Sequence, residues 1–183
     1  MSSRGDLKIL KSLGADLGAV GLEEVGAAQE PYFCTPVGAE PVARLGCDGV
    51  HFVLLPGDER VFCVEPSMGE PGTYVLPVAA DVRTFLAYVC FCGDANPLSQ
   101  LFWLDEERFR AFLAEEAVAQ WPGSEAFFAR KRATLSALET AFGLTPADPY
   151  GPVRALQTAF DPSCLTFSDE YYDVLGLEPP DPS

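Results

Sequence analysis

The chain has 183 residues, 48% of them hydrophobic and 21% charged. That is one domain's length, enough to bury a core without disulfide staples and too apolar for wholesale disorder. Twelve Lys and Arg against 27 Asp and Glu give a formal net charge of −15, which repels nucleic-acid phosphates and anionic membrane surfaces and attracts a basic protein.

At the amino terminus, Arg4, Lys8 and Lys11 are not followed by an uninterrupted apolar stretch. No signal peptide is expected, and the default compartment is the cytoplasm. Gly14, Gly18, Gly21 and Gly26 lower helix propensity over the first 30 residues, so any helix there is short or leans on the rest of the protein. The stretch 29–41 is rich in Pro, Gly and aromatics and predicts a loop or a short edge strand. Residues 1–45 thus carry the least defined pattern.

The clearest β signal follows. GVHFVLL (49–55) and RVFCVE (60–65) flank Pro56-Gly57-Asp58-Glu59, which predicts an antiparallel hairpin. Both runs are apolar at nearly every position, as expected of inner strands covered on both faces. A turn at 67–72 leads to a third strand at 73–78, where Pro77 places an edge or a bulge.

The second half predicts helices. Asp81 caps one, with Val82, Phe85, Leu86 and Val89 on one stripe and Gly93 at its end. Its FLAYVCFC run (85–92) is strongly apolar but far short of the roughly 20 residues of a membrane span. Asp105 caps a longer helix, with Glu106 and Glu107 in its first turn and Leu104 and Phe109 at the staple positions. A further helix runs from Ser124 to Gly143 and carries the one dense basic cluster, Arg130, Lys131 and Arg132. From Ala155 to Ser183 there are six acids and no Lys or Arg, and residues 178–183 read as a frayed tail. Sheet first and helices after make an α+β plan for a single domain, 1–183.

Chemistry is sparse. His51 is the single histidine; it reads as a strand residue, half-buried or edge-facing, and an enzyme would have to use it with a cysteine or carboxylate. Cys47, His51, Cys90 and Cys92 can be drawn as a soft metal set, but the spacing matches no knuckle, and on a helix Cys90 and Cys92 diverge by about 200°. The thiols instead read as small core hydrophobes. No phosphate-binding motif is present, and Gly69-Glu70-Pro71-Gly72 reads as a turn. No catalytic, metal or cofactor-binding residue is therefore assigned. In the terminal segment, Asp169, Glu170, Tyr171, Tyr172 and Asp173 interleave acids with aromatics, suited to a cationic protein surface. The competing view is a closing helix that packs Tyr171, Val174 and Leu175 inward. The first group of candidate partner-binding residues is Asp169 to Asp173; Glu106 and Glu107 form a second patch.

The run 48–113 carries a strand and hairpin ending in VFCVEPS, a short strand YVLPVAAD, a helix with TFLAYV and then the acid-capped helix. In that order these pieces resemble the SMI1/KNR4-like (SUKH) superfamily. The resemblance covers about a third of the chain well; residues 1–45 lack the Leu-Pro phrase that often opens the family's sheet. It implies a twisted antiparallel sheet with helices packed against it. It also implies a non-enzymatic binding module of the bacterial immunity-protein type, which neutralises a cognate toxin, often a nuclease, by occluding it. A general adaptor without a toxin partner is the alternative.

Overall fold

The computed structural model describes residues 2–26, 30–46, 48–118 and 121–179. Its centre is an open four-stranded antiparallel sheet in which each strand pairs with its neighbour in sequence. The strands are β1 (Glu40–Arg44), β2 (His51–Leu54), β3 (Val61–Val64) and β4 (Val75–Ala79). Among the described residues there are seven α-helices: α1 (Ser3–Lys11), α2 (Val82–Cys92), α3 (Asn96–Gln100), α4 (Glu106–Val118), α5 (Ser124–Phe142), α6 (Tyr150–Ala159) and α7 (Asp169–Leu175).

The expected hairpin is β2–β3, and every residue of both strands is buried. Alternation assigns them to two cores. Phe52, Leu54, Val61 and Cys63 face a first layer with Phe85, Leu86, Leu98, Phe109 and Leu138. Val53, Phe62, Val64 and Val75 face a second layer of Cys34, Tyr74 and Tyr171, against which Phe33, Phe160 and Phe167 pack. A sheet covered on both faces accounts for strands without polar alternation.

Helix α2 starts and stops as its sequence predicts. Asp81 accepts a hydrogen bond from the Thr84 amide at 2.7 Å, and Gly93 takes φ 77° after the last turn. Its stripe of Val82, Phe85, Leu86 and Val89 is fully buried, each side chain worth about 1.5–3 kcal/mol of transfer. Asp105 likewise accepts from the Arg108 amide at 2.9 Å, at the start of α4.

Both sheet edges are blunted. On β1 the register shifts between Pro41 and Ala43, and Arg44 exchanges backbone hydrogen bonds with Glu23. On β4, Pro77 lies opposite Phe62, beside a second register shift, as its sequence position predicts. A proline or bulge on an edge strand removes donors that a foreign strand would use.

Three helices had no predicted bounds, and the first is the short helix leaning on the rest of the protein that residues 1–30 allow. Helix α1 is capped by Ser2, whose hydroxyl accepts from the Gly5 amide. The Ser3 hydroxyl donates to the Glu59 carbonyl at 2.6 Å and accepts from the Val82 amide at 3.1 Å. Buried Asp6 meets the Arg83 guanidinium, and Arg83 also donates to the Phe142 carbonyl at 2.7 Å. Helices α3 and α6 are the other two. Val153 of α6 enters the first core, and Arg154 donates to the Phe102 carbonyl.

Candidate functional site

The acidic-aromatic segment folds as α7 and lies on the second core. Tyr171 is buried; its ring stacks on Phe167 at 4.0 Å and 10° and meets Phe33, Tyr74 and Tyr172. The inward positions are therefore Tyr171, Tyr172 and Leu175. At 100° per residue these span an arc of about 100°, and Val174 falls about 60° outside it. Val174 is 57% exposed, a correction to its expected inward packing. Asp169, Glu170 and Asp173 point to solvent, and none of the ion pairs between described residues uses them. Beside them, Tyr171, Tyr172, Phe167, Leu165 and Leu177 line a shallow groove of about 420 Å³.

Glu106 and Glu107 are exposed on α4, whose Phe109 packs in the first core. The sheet therefore separates the two candidate patches, and they do not form one surface. Glu106 already pairs with Arg110, which also binds Asp148. The basic cluster on α5 is similarly engaged: Arg130 pairs with Asp16 and Lys131 with Asp94.

His51 sits at the start of β2, an inner strand rather than an edge, and is buried. Its Nδ1 lies 2.7 Å from the Gly49 carbonyl oxygen. A carbonyl can only accept, so Nδ1 carries the proton. Nε2 lies 3.0 Å from the Thr35 hydroxyl and, in the neutral ring, accepts from it. Burial lowers the pKa of His51, against the opposing pull of the Gly49 carbonyl and the Glu65 charge, so the ring is held neutral. The Tyr32 ring stacks beside it at 5.6 Å and 26°.

These groups open onto a cavity of about 200 Å³, walled also by Pro41, Val50, Val53 and Arg44, with Glu30 and Asp48 among its lining residues. The connection from β1 to β2 is conformationally demanding. Gly46, Asp48 and Gly49 all have positive φ, and Asp48 (φ 51°) is the non-glycine exception. A Cβ on Gly49 would lie 2.5 Å from the Tyr32 ring, so the bare glycine lets that ring close over the turn.

A hydroxyl, an imidazole and an orienting carbonyl in line form the layout of a general-base relay. Thr35 and Tyr32 were not legible as partners of His51, because the loop that carries them has no periodicity. The positive-φ turn glycines beside a strand histidine were the available signal.

The soft metal set does not assemble. Cys90 and Cys92 pack against the first core, whereas His51 faces the second with Val53; Cys47 lies outside the described residues. No group of three or more His, Cys, Asp or Glu suited to a metal occurs among the described residues. Burial pushes the thiols of Cys34 and Cys92 up to about 12 and that of Cys90 to about 11, so they remain protonated and unreactive. No helix among the described residues is long and apolar enough to cross a membrane. Comparison of the chain with known proteins found no matching family model, no matching curated protein and no matching solved structure.

Proposed function

We propose that the chain is a non-enzymatic protein-binding module of the immunity-protein type, which neutralises a basic toxin domain by occluding its working surface. One observation carries this reading: none of the ion pairs between described residues uses the exposed acids of α7, which stand beside an aromatic groove on a chain of net charge −15. Acids steer a basic partner, and tyrosine supplies contact area at low entropic cost. The resemblance of 48–113 to the SMI1/KNR4-like superfamily supports the same reading, as does the α+β plan.

The test is coexpression with toxin genes of the same locus, followed by copurification and a protection assay. Copurification and protection support the proposal; a chain that binds and protects against none of them refutes it. The triple variant Asp169→Lys, Glu170→Lys, Asp173→Lys should slow association by about tenfold or more at low ionic strength, and the difference should shrink as salt is raised.

The Thr35–His51 hydrogen bond favours a second reading, an enzyme that uses His51. Replacing His51 with Gln then abolishes turnover, whereas under the first reading partner binding is unchanged.

A further inference from the structure

We propose that the His51 cavity is a binding site for a small arylalkylamine or arylamidine, a single ring carrying a protonated aminomethyl or amidino group. The inference stands apart from the partner-binding reading, because it rests on a separate cavity that shares no lining residue with the α7 groove.

Size comes first. An apolar cavity of about 150 Å³ accommodates benzene, so about 200 Å³ has room for one ring and a short substituent. The wall chemistry selects a ring. Tyr32, a 40% exposed residue, lines the cavity with the neutral His51 ring stacked beside its own, and Val50, Val53 and Pro41 supply the apolar remainder.

Hydrogen bonding selects a donor. The single Thr35 proton is given to His51 Nε2, so the hydroxyl offers the cavity a lone pair. Both His51 nitrogens are already engaged. Two acidic residues, Glu30 and Asp48, line the cavity, and the one lining arginine, Arg44, is opposed by Glu23 at 3.3 Å. Among the described lining residues acidic side chains thus outnumber basic ones two to one, which favours a cationic ligand over an anionic one. A cation against the Tyr32 face gains further from the ring quadrupole.

The experiment is a titration of the full chain, followed by two-dimensional amide NMR, with benzylamine, benzoate and methylammonium at 0.15 M salt. Benzylamine should produce saturable shifts at Tyr32, Thr35, Gly49 and Val53, with about tenfold preference over each of the other two probes. Tyr32→Ala and Thr35→Val should each weaken benzylamine by about tenfold while leaving the circular dichroism spectrum unchanged. Absence of saturable shifts at these amides, benzoate or methylammonium binding as tightly as benzylamine, or wild-type binding by both variants would overturn the proposal. A variant whose spectrum changes is replaced by Tyr32→Leu, which keeps apolar bulk, removes the aromatic face and should show the same loss.

Discussion

The docking of α7 on the sheet separates the structural from the interacting part of the terminal segment, and Tyr171→Ala measures it. Tyrosine buries about 150–250 Å², and at about 25 cal/mol per Å² this sets an upper bound near 4–6 kcal/mol. Tyr171 is 6% exposed and touches Phe33, Phe167, Tyr74 and Tyr172, so most of that area is lost on truncation. The segment 160–175 lies at the rim of the second core and can partly collapse into the gap. The expected cost is therefore about 3 kcal/mol, at the lower end of the range for deleting a buried aromatic. For a chain of this size that corresponds to a melting temperature about 6–12 °C lower. Urea unfolding followed by circular dichroism and by the fluorescence of the two tryptophans reads it directly. Val174→Ala, about 60° around the helix from Tyr171 and exposed, should change stability by no more than about 0.5 kcal/mol. A loss below about 1 kcal/mol for Tyr171→Ala would show that α7 does not dock as described.

Three further outcomes are expected. Asp81→Ala removes the side-chain cap of α2 and should cost about 1 kcal/mol by denaturant midpoint, whereas Asp81→Asn should retain most of it. Arg83→Met strands the buried Asp6 carboxylate and should cost about 3 kcal/mol; Asp6→Asn in the same chain should restore part of it, and additive losses would exclude the pairing. His51 has a folded pKa below its unfolded value of about 6.5. The unfolded chain therefore binds the extra proton, and this contribution to stability, complete above about pH 6.5, is lost as pH falls from there toward the folded pKa. His51→Asn keeps a donor for the Gly49 carbonyl and binds no proton, so its midpoint between pH 7.5 and 5 should fall less steeply than wild type; parallel curves would show that His51 does not titrate this way.

Local chemistry was readable in short windows. The β2–β3 hairpin, the Asp81 and Asp105 caps, the Gly93 stop and the stripe on α2 all appear in the structure where propensity and periodicity place them, because each depends on neighbours within a few residues. Helix α1 had no bounds in the sequence, but it is short and leans on the rest of the protein, as any helix in residues 1–30 must: Ser3 on Glu59 and Val82, and Asp6 on Arg83.

The site was legible only in part. His51 was identifiable as a strand residue, but half-buried or edge-facing rather than buried on an inner strand, and the acids of α7 as a charged exterior. Which way Tyr171 turned, and which loop met His51, depended on contacts across the chain. Thr35 reaches His51 over 16 residues, and Phe33 reaches Tyr171 across the second face of the sheet. Charge, capping and turn residues act locally and are fixed by composition and spacing. Burial is a property of the whole packed chain: an apolar or polar residue acquires its role only when distant segments cover it, and no window of sequence contains both partners.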